Sequence, residues 1–76
     1  MSHIEINTLD LHGVRHREVR QIVEDFVLRN DLPLRIITGN SVMMRNLVDE
    51  VLGQYDLRAE PENYWNLGSL MVYTSD

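Results

Sequence analysis

The stretch Leu9-Asp10-Leu11-His12-Gly13 predicts a short strand that ends abruptly at a glycine. Side chains alternate between the two faces of a strand, so Leu9 and Leu11 should face a core while Asp10 and His12 face away from it. Gly13 lets the chain turn, or approach a ligand, without a Cβ in the way. An acid and an imidazole are therefore expected on the solvent side of a strand end, which makes them the first candidates for a functional pair.

Length and composition limit the class of protein. The 76 residues are enough for one small domain, residues 1–76, with a thin core. No cysteine is present, so neither a disulfide framework nor a thiolate metal site is expected. No apolar run approaches the ~20 residues of a membrane span, and no signal peptide is recognisable. We therefore expect a soluble cytoplasmic protein without a membrane partner, either a monomer or a homodimer.

The charge is distributed unevenly along the chain. The net charge is -5, which argues against a general nucleic-acid coat protein. All the basic residues are arginines, whose planar fork fits phosphate or carboxylate. Between His12 and Arg20, three arginines and one glutamate give a local balance of +2, which leaves -7 for the remaining residues of the -5 chain. An acidic domain thus has one basic corner, next to the 9–13 stretch.

A first helix is predicted from near Arg15 to near Asn30, because apolar residues recur there with helical period. These residues are Val19, Ile22, Val23, Phe26 and Val27. Arg20 and Glu24 are four residues apart and are expected to pair. The basic first turn opposes the helix dipole, at about 0.3–1 kcal/mol per charge. Either a bound anion makes this turn a site, or exposed arginines tolerate the position at little cost.

A second strand, residues 34–38, is expected inside the sheet and is followed by the turn Thr38-Gly39-Asn40-Ser41. Ser41 is a good N-cap for a second helix. The apolar stripe of that helix comprises Met44, Leu47, Val48, Val51, Leu52 and Tyr55. Arg45 and Asp49 should pair on its outer face. We expect Met43 to flank the core rather than to contact a ligand.

The rest of the chain predicts two strands, residues 57–60 and 70–74, joined by a polar and aromatic connection, residues 61–67. The element order is then β-α-β-α-β-β, an α/β two-layer sandwich with a mixed four-stranded sheet and both helices on one face. The apolar alternation changes phase around Asn7 and Thr8, so we expect a bulge there or an extra N-terminal strand. The adjacent aromatic residues Tyr64 and Trp65 in the connection have two alternative roles, stacking on bases or capping the core. We favour the cap for one of the two.

Two loops should meet at one edge of this sheet. If the first two strands are parallel neighbours, the turn after His12 and the turn at residues 38–41 both follow carboxyl ends, where open α/β sheets bind ligands. Each loop also begins a helix, so two helix N-termini would face the same crevice. The sequence predicts an anion site there, with Arg15 and Arg17 beside it.

The same residues resemble a known family. Residues 9–13 are similar to the LDLHG signature of the Smr (small MutS-related) domain, and Glu18 matches its usual acidic position. The turn at residues 38–41 lies where that family has TGxG, and the spacing of Gly68 and Val72 matches its last strand. Ser41 replaces the final glycine of the turn, and the longer loop that usually follows is missing. The resemblance covers almost the whole chain and indicates a trimmed Smr domain.

The resemblance implies nucleic-acid binding and, in several members, nicking or cutting of DNA or RNA. Asp10 and His12 would then be the catalytic pair of an endonuclease, with His12 moving a proton. Asp10 would orient His12 or ligate a hard divalent cation, Mg²⁺ or Mn²⁺, although one carboxylate and one imidazole are too few for a two-metal mechanism, and we assign no metal site. The expected nucleic-acid contacts are Gly13, Arg15, His16, Arg17, Thr38, Gly39, Asn40, Ser41, Arg45, Tyr64 and Trp65. Two alternatives stay open: a non-catalytic DNA- or RNA-binding module, and a protein-interaction adaptor.

Overall fold

The computed structural model describes residues 6–75, which form two helices and a four-stranded sheet. The elements are β1 (Asn7–Asp10), α1 (His16–Arg29), β2 (Leu34–Ile37), α2 (Val42–Gln54), β3 (Leu57–Asn63) and β4 (Asn66–Thr74). The predicted order and fold class are confirmed. β1 pairs with β2 in regular register at Asn7 and Thr8, so the expected bulge is absent there, and an extra N-terminal strand would involve residues that lie outside the described ones. No helix of residues 6–75 is long and apolar enough to cross a membrane.

The sheet has the order β1-β2-β4-β3. β1 runs parallel to β2, whereas β4 runs antiparallel to both β2 and β3. β1, β2 and β3 therefore end at the same edge, and β4 begins there. We call this the carboxyl edge: it comprises His12 and Gly13 after β1, residues 38–41 after β2, and Tyr64 and Trp65 between β3 and β4.

Both helices pack on one face of the sheet. Alternation along the strands places Leu11, Ile36 and Leu70 in the core, where their exposed fraction is zero. The helices add the apolar stripes that their periodicity predicts. The buried helical residues are Val19 and Val23 of α1 and Met44, Val48, Val51 and Leu52 of α2. The alternating apolar residues of the strands and the periodic apolar residues of the helices thus pack into the same core.

The contacts between the helices differ in part from the prediction. Arg20 does not pair with Glu24; its guanidinium lies 3.1 Å from a carboxylate oxygen of Glu50 on α2. Glu24 instead accepts a hydrogen bond of 2.7 Å from the Tyr55 hydroxyl, which raises the pKa of Tyr55. The reason is that α1 packs directly against α2, so partners across the helix interface come within reach. Arg45 and Asp49 do pair within α2, at 3.8 Å.

Two predictions about apolar residues were wrong. Met43 is 57% exposed and does not flank the core, because successive helical residues are rotated by about 100° and the buried stripe passes through Met44. Neither Tyr64 nor Trp65 caps the core. The predicted connection at residues 61–67 is instead the end of β3, a two-residue turn and the start of β4, with Asn63 opposite Asn66. Because the turn lies beyond the end of the helical layer, its aromatic side chains have no core to cover.

The sheet face opposite the helices carries a polar network that spans all four strands. Arg35 on β2 donates from Nε and Nη2 to the two carboxylate oxygens of Glu62 on β3, at 3.0 and 2.7 Å. Its Nη1 also donates to Thr8 on β1, at 3.3 Å, and the Ser69 hydroxyl on β4 donates to Glu62 at 2.7 Å. The hydrogen bonds from Arg35 and Ser69 lower the pKa of Glu62. This network joins the turn end of the β3-β4 hairpin to the rest of the sheet.

Candidate functional site

The turn after β1 is held by its own backbone and by Asp10. The amide of Leu11 donates to Ile37 of β2 at 2.9 Å, so the parallel ladder continues one residue beyond the strand. The amide of Val14 then donates to the Leu11 carbonyl at 3.0 Å, and Gly13 has a φ of +79°, as the third position of a type II turn requires. Gly13 is needed here for its conformation. The turn directs His12 into solvent, as the sequence predicts.

Asp10 has a local structural role in this turn. One of its carboxylate oxygens accepts a hydrogen bond of 2.9 Å from the His12 backbone amide. Within residues 6–75, neither the second carboxylate oxygen nor the His12 imidazole has a hydrogen-bond partner. Both residues are exposed. The pair is therefore adjacent and accessible, but the contact between them runs through the backbone of His12 and not through its ring.

The turn after β2 is fixed by a close approach to β4. The amides of Thr38 and Gly39 both donate to the Gly68 carbonyl, at 2.7 and 3.2 Å, and Gly39 has a φ of +65°. A Cβ on Gly68 would lie 2.7 Å from the Gly39 carbonyl oxygen, which is closer than real contacts of this kind. The two glycine backbones therefore touch, and the 38–41 turn is pinned to the beginning of β4.

A pocket of about 210 Å³ opens at the start of α2, and we call it the α2 pocket. It is lined by residues 38–41, by Val42 and Arg45 of α2, and by Leu67 of β4. Sequence reasoning selected the turn and Arg45 but missed both aliphatic residues. The signal for Val42 was its position directly after an N-cap, where an apolar side chain outside the core stripe must be exposed. Leu67 had no such signal, because the sequence placed it in a loop.

The α2 pocket does not include the turn after β1. Asp10, His12, Gly13, Arg15 and His16 do not line it. The two turns follow neighbouring parallel strands, as expected, but the pocket is shared with β4 on the other side of β2. Gly68 explains this geometry, since its contact with Gly39 draws the turn toward β4. The crevice expected between the two turns is thus not this pocket.

Exposed apolar side chains surround the α2 pocket. Tyr64 is 95% exposed, Trp65 83% and Leu67 57% on the hairpin, while Val42 is 74% and Met43 57% exposed on α2. Leu67 and Val42 line the α2 pocket together, and Leu67 and Tyr64 line a neighbouring recess of about 600 Å³. We call these five residues the apolar patch. Val42, Leu67 and Tyr64 are connected through these two recesses, and exposed apolar patches mark binding surfaces more often than single exposed apolar residues do.

The arginines expected to contact nucleic acid differ in whether they form ion pairs. Arg45 lines the α2 pocket while its Nε lies 3.8 Å from Asp49. Arg15 and Arg17 are exposed at the start of α1 and form no ion pair within residues 6–75. Arg17 lies along a shallow groove of α1 that also contains Glu18 and Asp25. Arg15 is the N-cap of α1, and its side chain makes no capping hydrogen bond.

The chemistry available at this edge is limited. Within the described residues, no group of three or more histidine and acidic side chains could hold a metal ion. What is present is the Asp10 carboxylate, the imidazoles of His12 and His16, three arginines and an exposed apolar patch. These groups can bind phosphate and flat rings.

Comparison with known proteins adds no relative. Neither a protein-family model nor a curated protein nor a solved structure matches the chain. The similarity of residues 9–13 and 38–41 to the small MutS-related domain therefore stays a prediction from those residues.

Proposed function

We propose that this protein binds DNA or RNA through its carboxyl edge, as the resemblance to small MutS-related domains implies. One observation carries the proposal: the two aromatic residues of the hairpin turn, Tyr64 and Trp65, are almost fully exposed at the edge that also presents the α2 pocket and Arg45. Folding leaves these rings in water, where large apolar surface is costly unless a partner covers it. A cytoplasmic location belongs to the same proposal.

The groups at the edge fit the two parts of a nucleic acid. Exposed aromatic rings stack on bases, at ~1–3 kcal/mol per base. Arg15, Arg17 and Arg45 offer forked donors for phosphate oxygens. The basic first turn of α1, unfavourable for the isolated helix, becomes favourable when a phosphate lies beside it.

The negative net charge limits the number of phosphate contacts. With three arginines at the edge and -5 overall, the logarithm of affinity should fall with the logarithm of salt concentration with a slope of about -2 to -3. A general coat protein would show a much steeper slope. A protein-interaction adaptor would not bind nucleic acid at any salt concentration.

The direct test is binding of fluorescently labelled DNA and RNA oligonucleotides, followed by anisotropy at low salt. Trp65→Ala should weaken binding about tenfold, since one stacking contact is lost. Leu28→Ala is the matched control: Leu28 is 61% exposed near the end of α1, away from the carboxyl edge, and its variant should bind like the wild type. Absence of binding to every oligonucleotide would overturn the proposal and favour the adaptor.

A second candidate, an endonuclease, is favoured by the turn after β1, where His12 is exposed and held next to Asp10. In this hydrolysis the imidazole would take a proton from the attacking water as the water oxygen bonds to phosphorus. The P–O bond to the leaving strand would break, its oxygen would receive the proton, and arginines would stabilise charge on the phosphate. His12→Ala should then abolish cleavage and leave binding intact. Asp10→Asn preserves the oxygen that accepts the His12 amide, so loss of cleavage in Asp10→Asn would assign a role to the negative charge. Binding without cleavage in the wild type, with Mg²⁺ or Mn²⁺ present, would leave the non-catalytic module.

A further inference from the structure

We infer that the α2 pocket receives one unpaired base of a single-stranded DNA or RNA, held between Val42 and Leu67. The inference rests on the proposed function and goes beyond it, because it assigns the strand type and places a base in a pocket distinct from the hairpin tip. It also changes the ligand expected at the 38–41 turn from a phosphate to a base.

The size and lining of the pocket fit a single flat ring. Its volume of about 210 Å³ equals the share of about seven water molecules, at ~30 Å³ each, and is smaller than the ~300–1,000 Å³ of sites for drug-sized ligands. Val42 and Leu67 provide aliphatic walls on two different elements. A single base has the size and the apolar faces that such a pocket can cover.

Backbone hydrogen bonds use part of the donors that a phosphate at the pocket would need. The amides of Thr38 and Gly39 are both bonded to the Gly68 carbonyl, and the amide of Met44 in the first turn of α2 is bonded to the Ser41 hydroxyl at 3.1 Å. A phosphate at a helix N-terminus depends on backbone amides as donors. Because three amides beside the pocket are already satisfied, fewer donors are left for an anion, whereas an uncharged ring does not need them.

Polar groups on the rim can meet the edges of the base and its backbone. Asn40 and Arg45 line the pocket beside its aliphatic walls. An amide side chain can donate to and accept from the edge of a base, and a guanidinium can bind the adjacent phosphate. Arg45 keeps its distance of 3.8 Å to Asp49, which is long for a strong ion pair, so a phosphate can compete for it.

The position of the hairpin favours a single strand. β4 begins two residues before Gly68, the residue that bonds to the 38–41 turn, so Tyr64 and Trp65 project roughly 10 Å beyond it at ~3.3 Å per residue. Bases in a duplex are paired and stacked, and one could enter the pocket only after leaving the stack. In a single strand, one base can occupy the pocket while a neighbouring base stacks on the hairpin.

The test compares two tryptophan substitutions at exposed helical positions. Val42→Trp fills the pocket, whereas Leu28→Trp adds the same ring near the end of α1, away from the carboxyl edge. Each protein is titrated with a single-stranded oligonucleotide, its fully abasic counterpart and the corresponding duplex, in DNA and RNA forms. The wild type and Leu28→Trp should prefer the single strand to the abasic strand equally, and Val42→Trp should reduce that preference about tenfold and keep the part that comes from stacking on the hairpin.

A second variant and the pattern of failure keep the two proposals separable. Leu67→Ala removes the other aliphatic lining residue and should also reduce the preference for bases, with the far-UV circular dichroism of the fold unchanged. Equal binding of the normal and abasic strands by the wild type would overturn the base pocket while leaving nucleic-acid binding in place. A preference that stays at the wild-type value in both Val42→Trp and Leu67→Ala would overturn the location. Absence of all binding would overturn the proposed function and this inference together.

Discussion

At the residue scale, the geometry of the candidate site depends on the contact between Gly68 and Gly39. We predict that Gly68→Ala destabilises the protein by about 1–3 kcal/mol, because a Cβ placed 2.7 Å from backbone atoms forces a shift that no side-chain rotation relieves. Gly53→Ala is the control: its Cβ meets nothing within 4 Å in α2, so this change should stabilise by about 0.5–1 kcal/mol. Urea denaturation measures both, and equal effects of the two substitutions would contradict the close contact.

Single residues were predictable from the sequence where their role is local. The inward position of Leu11 and the capping by Ser41 each follow from a pattern of a few residues, and both are confirmed. Leu67 and Met43 were not predictable, because their exposure depends on where β4 begins and on the phase of α2 relative to the sheet. The local hydrogen bond from His12 to Asp10 is compatible with the pattern but is not specified by it.

At the element scale, the two helices begin in opposite ways. α2 has a capping serine, whereas α1 has Arg15 at the same position without a side-chain hydrogen bond. We predict that Arg15→Ser raises the free energy of unfolding by about 1 kcal/mol and weakens nucleic-acid binding, since it supplies a cap and removes a phosphate contact. Thermal unfolding and anisotropy measure the two effects.

Removal of the existing cap of α2 is the control for adding a cap to α1. Ser41→Ala should lower the free energy of unfolding by about 0.5–2 kcal/mol, because the amide of Met44 loses its acceptor. If Arg15→Ser gained stability without losing affinity, Arg15 would have no part in binding.

The helices were predictable, whereas the bounds of the two hairpin strands were not, for reasons that lie in their chemistry. A helix of fourteen residues such as α1 repeats its apolar period several times, so its ends were placed within one residue. β3 contains a proline and several polar residues on an edge strand, with a register shift between Pro61 and Asn63, and these hide its period. The turn of Tyr64 and Trp65 also lacks the glycine or asparagine that usually indicates a two-residue hairpin.

At the scale of the whole molecule, the network of Arg35 and Glu62 joins the four strands on the face opposite the helices. The pKa of Glu62 is lowered from its ordinary value of 4.5 by its hydrogen bonds with Arg35 and Ser69, so its ionised form stabilises the folded state fully above that ordinary value. This contribution is lost as pH falls through the lower folded pKa. We predict that Glu62→Gln is less stable than the wild type at neutral pH and that the difference disappears in strong acid.

Chemical denaturation between neutral and acidic pH measures this effect. Glu50→Gln is the control, because Glu50 pairs with Arg20 at an exposed position on the helical side and should change the free energy of unfolding little. A difference between Glu62→Gln and the wild type that persists unchanged in acid would contradict the ionic role of Glu62.

The parallel pairing of β1 and β2 followed from element order alone, since a β-α-β unit in one sheet allows few arrangements. The insertion of β4 between β2 and β3 did not follow, because it depends on which edge the last strand pairs with. That insertion brings Leu67 and the hairpin to the 38–41 turn. The sequence therefore predicts a functional edge but not the pocket in it.

The exposed hairpin turn also determines what optical spectroscopy can detect. Trp65 is the only tryptophan and is 83% exposed in the folded chain, so its emission should change little when the protein unfolds. Tryptophan fluorescence then reports little on the core. An unchanged fluorescence signal during denaturation would therefore not mean that the protein was unfolded at the start. The fluorescence of Trp65 should be quenched when a base stacks on its ring, so ligand binding can be followed without an added label.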